Sequence, residues 1–382
     1  MKKKVAIIGT QGVPARYGGF ESLVENLLEN AFDGVEYTVF CSSKDIKCGS
    51  AKQPAAYKGA RLKYVGLHAN GAQSIFYDLL SMLRCLHGYD TLLVLGVSGC
   101  LFLPLVRLFL SRKTKLVINI DGLEHKRDKW NKLARWILLT SEKMAVRYAD
   151  TVISDNQAIT DYVVATYGPL GEDALVTIAY GGDHVFREVS QARQREILKA
   201  YGLQPGGYAF SVCRIEPENN CHVTLEAFAR AAEAESEAAR PIFPLLLVGN
   251  WHHSEWAREL RERFQGVRGV LMADAVYDLD VLYTLRSNAA VYVHGHSAGG
   301  TNPSLVEAMF FGRPILAFDV PYNRETTFGK AFYFQDAESL MAGIANLSTD
   351  VREASAAGAE LERLAKEHYR WADIAAHYEK IY

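Results

Sequence analysis

The chain has 382 residues, enough for two domains of similar size that each bury a core without staples. Its 42 Lys and Arg against 44 Asp and Glu leave a net charge of −2, which excludes nucleic-acid binding on bulk charge. A 49% apolar, 23% charged composition excludes a disordered, collagen-like or disulfide-scaffold chain, and the six scattered cysteines read as reduced packing thiols, not a zinc site.

In chain order the pattern is strand then helix. Val5–Gly9 reads as an apolar strand, too short for the core of a signal peptide. Phe20–Ala31 places Phe20, Leu23, Val24, Leu27, Leu28 and Ala31 at helical spacing. Tyr37–Cys41 and Leu62–Val65 are predicted strands, Ser74–Leu86 a helix. Thr91–Leu110 is twenty residues with one charge, Arg107, but Gly96, Gly99 and Pro104 divide it into strand, turn and short buried helix. Its apolar end, followed by Ser-Arg-Lys-Thr-Lys, also suits an anionic membrane surface. Leu116–Ile120 is the next strand, and Trp130–Ala149 a long helix with Trp130, Leu133, Ala134, Ile137 and Leu138 on one stripe. Thr151–Ser154 is a strand, after which Asn156 caps a helix to about Tyr167.

The same grammar restarts after Asp183. Tyr208–Cys213, Pro244–Val248, Val270–Met272, Ala290–Val293 and Pro314–Phe318 are predicted strands; Cys221–Ala232, Glu255–Phe264, Asp278–Ser287 and Pro303–Phe311 are the helices between them. A last helix, Trp371–Tyr382, carries Trp371, Ile374, Ala375, Tyr378 and Ile381 on one stripe. Alternation of this kind implies an α/β chain of two doubly wound parallel-sheet domains facing a cleft, with ligands at the carboxyl ends of the strands.

Four strand-end loops are the places to look for chemistry. The first, Gly9 to Glu21, is not GxGxxG, but sets Gly18-Gly19 at a helix start beside Arg16, Tyr17, Phe20 and Glu21. The second, Asn119 to Trp130, offers Asp121, Glu124 and His125 for substrate hydroxyls; the bland alternative is a solvated charged loop. The third, Cys213 to Asn220, puts Arg214 where a guanidinium can fork onto a diphosphate, or simply pair with Glu216 or Glu218. The fourth, His294 to Met309, combines His296, Gly299, Gly300, Thr301, Asn302, Ser304, Leu305 and Glu307: glycines for close backbone approach, Asn302 as N-cap, Pro303 at the first helical position, and amides around Thr301–Leu305 for phosphate oxygens. The Gly295-x-Ser297-x-Gly299 within it is not a nucleophile elbow, because Gly-Thr-Asn-Pro intervenes before the helix. Asp278-x-Asp280 mimics a metal motif but reads as a helix start.

Taken together, the segment Val293 to Ala317, with Arg214-Ile-Glu-Pro-Glu-Asn, Gly18-Gly-Phe-Glu21 and Tyr180-Gly-Gly-Asp183, resembles the signature of retaining family 4 glycosyltransferases of the GT-B fold. The wording of these motifs is similar to a bacterial rhamnosyltransferase subgroup of polysaccharide assembly. The resemblance implies an acceptor domain of residues 1–183 joined by a C-terminal helix, 369–382, that crosses back to it, and a nucleotide-sugar domain of residues 184–368. It implies that Arg214 contacts phosphate, with Asp121 and Glu124 as further catalytic candidates, and that Glu307 is the second glutamate of E-x7-E and holds a ribose. Gly18, Gly19, Asn219, His296 and the 299–305 stretch would complete the donor site, and Arg16, Tyr17, Phe20, Glu21 and His125 the acceptor site. Two positions depart from the pattern: Gly299 stands where the first glutamate falls, and Asn219 where a lysine falls. The expected substrates are a nucleotide sugar, with dTDP-rhamnose foremost, and a saccharide or polyprenyl-diphosphate-saccharide acceptor, with no metal and no other cofactor. The expected location is cytoplasmic, with peripheral contact to the inner membrane face. A sugar-nucleotide epimerase of the same architecture and a non-catalytic nucleotide-sugar-binding protein remain as alternatives at this stage.

Overall fold

The computed structural model describes residues 2–15, 18–46, 53–126, 130–171, 173–238 and 243–382. The strands are β1 (Lys3–Ile8), β2 (Val35–Ser42), β3 (Ala56–Tyr57), β4 (Ala60–Val65), β5 (Thr91–Leu95), β6 (Lys115–Asn119), β7 (Thr151–Ser154), β8 (Leu175–Thr177), β9 (Ala209–Val212), β10 (Leu245–Val248), β11 (Val270–Ala273), β12 (Val291–His294), β13 (Ile315–Phe318) and β14 (Phe332–Phe334). The helices are α1 (Gly19–Glu29), α2 (Ser74–Leu83), α3 (Leu103–Phe109), α4 (Lys132–Tyr148), α5 (Gln157–Tyr167), α6 (Gln191–Ala200), α7 (Cys221–Ala238), α8 (Glu255–Phe264), α9 (Leu279–Ser287), α10 (Pro303–Met309), α11 (Pro321–Thr326), α12 (Ala337–Thr349), α13 (Val351–His368) and α14 (Trp371–Ile381).

Two units result: residues 1–181 with 371–382, and residues 182–370. The first is built on a sheet ordered β3-β4-β2-β1-β5-β6-β7-β8, parallel except for the β3–β4 pair. The second has an all-parallel sheet ordered β11-β10-β9-β12-β13-β14. The central strands are continuous apolar runs because helices cover both faces: Val5 to Ile8, Leu92 to Val94 and Leu116 to Ile118 are fully buried.

The last helix belongs to the first unit. Its stripe of Trp371, Ile374, Ala375, Tyr378 and Ile381 is buried in the core with Leu23, Val24 and Leu27 of α1. Burying each of the larger side chains contributes about 1.5–3 kcal/mol. Asn119 at the end of β6 donates to the Tyr378 hydroxyl at 2.8 Å, and Lys115 donates to the Ile381 carbonyl at 2.5 Å.

The long helix departs from its sequence reading. Of the stripe read from the sequence, Leu133 is 66% exposed while Trp130, Ala134, Ile137 and Leu138 are half-buried; Trp136 (62%) and Leu139, off that stripe, are exposed as well. Only the second half packs down, through Ser141, Glu142, Ala145 and Val146. Helical periodicity establishes that apolar residues share a face; it does not supply the element that covers them.

A buried carboxyl lies beneath the turn that follows β5. Asp78 of α2 accepts the Gly99 amide at 3.1 Å, and a Cβ at Gly99 would sit 2.4 Å from the Asp78 Cβ, so this packing admits only glycine. Burial pushes the Asp78 pKa up to about 8, against the weaker opposing effect of the Gly99 bond. A folded-state value raised above the unfolded one means the native protein binds the extra proton. This contribution to stability is fully present below the unfolded value near 4 and is lost as pH rises through about 8. Asp78→Asn, which stays neutral, should therefore gain in Tm relative to the parent chain as pH is raised from about 5 to about 8. A Tm difference that does not change with pH would remove this assignment.

Candidate functional site

In an open parallel sheet, the place where strand order reverses leaves a crevice at the carboxyl ends of two neighbouring strands. In the second unit that point falls between β9 and β12. The loops leaving these strands are residues 213–220 and 295–302, two of the four that the sequence singles out.

Side chains tie the two loops together. Asn219 donates to the Arg214 carbonyl at 2.8 Å, and its amide oxygen lies 2.7 Å from His296 Nδ1. Because the Asn219 nitrogen faces a carbonyl, its oxygen is the acceptor, and His296 must carry its proton on Nδ1. Asn220 adopts the left-handed conformation and donates to the Gly295 carbonyl at 2.8 Å. Ser297 donates through both its amide (2.9 Å) and its hydroxyl (3.0 Å) to the Glu218 carbonyl. Asn323 of α11 donates to the His296 carbonyl at 2.8 Å. Gly295 has to be glycine: a Cβ there would lie 2.2 Å from the Asn219 carbonyl oxygen. His294 is kept neutral, its pKa driven well below the usual histidine range by burial first and by neighbouring His296 second.

This arrangement corrects two donor-site expectations. Asn219 and His296 are only 5% and 7% exposed and frame the loops. Arg214, by contrast, is over a third exposed, and its guanidinium lies 3.7 Å from Glu216, beyond hydrogen-bonding length. That weak surface pair leaves the guanidinium able to turn to an anion.

The start of α10 is likewise more occupied than its sequence suggests. Asn302 caps the helix as expected, but in doing so accepts the Ser304 amide at 3.0 Å and the Ser304 hydroxyl at 2.8 Å, while its carbonyl accepts the Leu305 amide at 3.0 Å. The amides of Ser304 and Leu305, expected among the phosphate donors, are thus engaged within the cap, and the Leu305 side chain is fully buried. The backbone of residues 299–302 leads into this cap: Gly299 takes a φ of +91°, and Gly299, Gly300 and Thr301 are buried.

One turn into α10, Glu307 is held from two sides. One carboxylate oxygen bonds Arg286 of α9, and the other lies 3.4 Å from His184 Nε2. Burial alone would raise the Glu307 pKa, but Arg286 and His184 together outweigh it, and the carboxyl lies below its ordinary value. Each oxygen keeps a second lone pair, so a charged carboxylate at this position can still accept from a ligand hydroxyl. Sequence reading missed both partners. Arg286 hides in an ordinary amphipathic helix, and His184 follows directly on the Tyr180-Gly-Gly-Asp183 motif.

In the first unit the strand order reverses between β1 and β5. The loop after β1 is braced from below by Glu21, which is buried and accepts the Thr10 hydroxyl at 2.9 Å and the Gln11 amide at 2.8 Å. Glu21 is therefore a loop support and not an exposed acceptor ligand. Gly18 takes a φ of +131°, and a Cβ on it would lie 1.9 Å from the Glu21 carboxylate. Gly18 and Gly19 are exposed at the start of α1, with no side-chain cap, and Phe20 is half-buried. Arg16 and Tyr17 lie outside the described residues.

Past β6, Asp121 is in the left-handed conformation, with its amide donating to the Asn119 side chain at 2.9 Å. Glu124 accepts the Trp130 indole at 3.1 Å. His125, expected at the acceptor, turns inward. Its Nδ1 lies 3.0 Å from buried Glu142 without the alignment of a hydrogen bond. Glu142 also accepts the hydroxyls of Tyr162 (3.1 Å) and Tyr167 (2.7 Å). Burial, then the Glu142 charge, pushes the Tyr162 phenol up to about 12.

Comparison with known proteins agrees with this geometry. Residues 207–350 match a family model described as glycosyl transferases group 1, and residues 2–183 match one described as a domain of unknown function, DUF1972. The fold is shared with sucrose-phosphate synthase from Thermosynechococcus elongatus (18% identity, TM-score 0.78, covering 100% of this chain and 98% of that one). It is also shared with Anabaena Alr3699/HepE in complex with UDP (13%, 0.75, 99% and 98%) and the catalytic domain of Arabidopsis thaliana starch synthase IV bound to ADP and acarbose (14%, 0.68, 100% and 98%). A comparison with curated protein sequences gave no match. The fold is that of the GT-B glycosyltransferases, and residues 207–350 carry a glycosyl transferases group 1 domain.

In this GT-B fold the serine of the Gly-x-Ser-x-Gly segment is bonded to a backbone carbonyl, as described above, and Asp278 caps α9 through the amides of Asp280 (2.9 Å) and Val281 (3.3 Å). Among the described residues, no group of three or more His, Cys, Asp or Glu side chains is placed to hold a metal ion.

Removing Arg286 would strand a buried carboxylate. Arg286→Ala should cost about 3–5 kcal/mol in urea unfolding, whereas Glu307→Gln, which keeps an acceptor for Arg286, should cost clearly less. Equal and small losses for the two would show that the pair is not structural.

Proposed function

We propose that this protein is a glycosyltransferase, a retaining enzyme of family 4 that takes its sugar from a nucleoside diphosphate donor. The observation that carries this reading is the guanidinium of Arg214, over a third exposed at one strand end of the switch point, in a loop tied through Asn219 to His296 in the loop at the other. A donor diphosphate accepts from Arg214 and from the 299–302 backbone. Glu307, charged and fixed by Arg286, accepts from the ribose hydroxyls. UDP in the Anabaena structure and ADP in the starch synthase structure, both of the same fold, support a nucleotide donor.

In the proposed reaction an acceptor hydroxyl attacks the anomeric carbon on the face the diphosphate leaves. The bond to the leaving oxygen breaks as the new glycosidic bond forms, and a phosphate oxygen takes the acceptor proton. Negative charge grows on the departing diphosphate, where fixed donors lower the barrier most. Protein donors supply that stabilisation, so no metal is needed. Asp121 and Glu124, with the exposed Gly18-Gly19 turn, are the first unit's candidates for orienting acceptor hydroxyls.

The finer assignments rest on motif wording. The donor sugar is L-rhamnose carried on dTDP, with Gly299 in place of a glutamate suiting a sugar of different hydroxyl geometry. The acceptor is a saccharide, lipid-diphosphate-linked, in cell-surface polysaccharide assembly, met by a cytoplasmic enzyme at the inner membrane face. No helix among the described residues is long and apolar enough to cross a membrane.

Incubation with a panel of nucleotide sugars and a lipid-diphosphate acceptor, followed by mass spectrometry, tests the reading. Transfer from one donor supports it; donor isomerised without acceptor, or bound without turnover, overturns it. Arg214→Ala should lower kcat about a hundredfold or more with Tm unchanged, since a loose surface pair contributes under about 1 kcal/mol. Near-normal transfer by the folded variant would remove Arg214 from the mechanism.

A further inference from the structure

We infer that the outer faces of α3 and α4 form the surface by which this protein docks on an anionic lipid bilayer. Both helices belong to the first unit and pack against each other. α3 exposes Leu105 (57%), Leu108 (76%) and Phe109 (63%), and α4 exposes Leu133, Trp136 and Leu139. Six large apolar side chains on two neighbouring helices go well beyond the scattered exposure normal on a protein surface.

Charge selects the occupant. Residues 103–113 carry three cations and no acid, of which Arg107 is paired with Asp150, leaving Arg112 and Lys113, and α4 carries four cations against one acid, Glu142, which is buried. This excess sits in a chain whose net charge is −2. Arg112 and Lys113 follow the apolar end of α3, and on α4 exposed Lys132 and Lys143 lie one turn before and two turns after Trp136. Apolar side chains reach into the acyl boundary, the indole suits the interface, and cations flanking them meet lipid phosphates. A protein partner matched to such a surface would have to supply both an apolar face and a ring of acids, whereas an anionic leaflet supplies the two together.

The placement also has a functional sense, which rests on the lipid-linked acceptor proposed above. α4 packs against the turn of residues 124–126, in the loop that carries Asp121 and Glu124. A bilayer seated on α3 and α4 would present acceptor head groups beside that loop.

Vesicle sedimentation of the full chain, without donor or acceptor, tests the surface independently of any transfer reaction. The protein should sediment with phosphatidylglycerol–phosphatidylcholine vesicles and stay in solution with phosphatidylcholine alone. Leu108→Glu with Trp136→Glu should lower partitioning at least about tenfold, and Arg112→Glu with Lys113→Glu about fivefold or more per position, since each cation near an anionic surface is worth roughly that factor. Tm should be unchanged in both, because the side chains are exposed; should the first pair lower it, Leu108→Gln with Trp136→Gln carries the same test. Equal binding to both vesicle types, no binding, or binding that survives these substitutions overturns the inference. So does self-association in light scattering that the Leu108 and Trp136 substitutions abolish while vesicle binding persists, because the occupant is then a second copy of the chain.

Discussion

The candidate site is organised around the side chain of Asn219, wedged between the Arg214 carbonyl and the ring of His296 and joined by the Asn220–Gly295 and Ser297–Glu218 bonds. Two loops from strands β9 and β12 have no reason of their own to hold a common shape. A backbone of glycines and a half-exposed arginine would sample many arrangements, and each ordered residue costs about 1–2 kcal/mol of conformational entropy. The amide resolves this by satisfying a carbonyl in one loop and a ring N–H in the other, out of water, where such bonds are strong and leaving one unmade is costly. Gly295 then allows the second loop to lie directly against the Asn219 carbonyl. Preorganised in this way, the crevice can present Arg214 without rearrangement.

The same logic explains why the departures from the resembled motif are not simple losses. With Asn219 where a lysine is usual, one positive charge is absent, but the asparagine gives the loops a neutral and fully paired bridge. With Gly299 where a glutamate is usual, a carboxylate is absent, and the residue instead adopts a left-handed backbone that a side chain would strain. Glu307 retains its charge because Arg286 and His184 offset its burial. Among the donor-site candidates of the second unit the charged side chains are Arg214, over a third exposed, and Glu307, held by Arg286.

Much of the fold was legible in sequence because each strand of a covered parallel sheet is a short apolar run, and each crossover helix carries a stripe of period 3.6. Glu255–Phe264, Thr151–Ser154 and the buried stripe of α14 come directly from that rule. The strand ends likewise located the loops. Legibility stopped where roles depend on partners distant in the chain. His296 and Asn219 are 77 positions apart, Glu307 and Arg286 are 21 apart, and His125 finds Glu142 and Tyr162 only after α4 and α5 are placed. Polar residues in a glycine-rich loop look like ligand contacts whether they face a substrate or each other. The stripe on α4 is only half-buried for the converse reason: periodicity describes one helix, and burial needs a second surface.

The brace under the first loop has a consequence for reading mutational scans. Thr10, Gln11, Gly18 and Glu21 form a closed mechanical unit in which the glycine makes room for the carboxylate and the carboxylate fixes the turn. Replacing Thr10, Gly18 or Glu21 would disturb the exposed glycine turn from beneath, whereas Gln11 takes part through its backbone amide alone. Position-by-position alanine profiles across residues 10–21 would then mark scaffolding and contact positions alike as intolerant, and only conservative pairs such as Thr10→Ser and Glu21→Gln would separate the two.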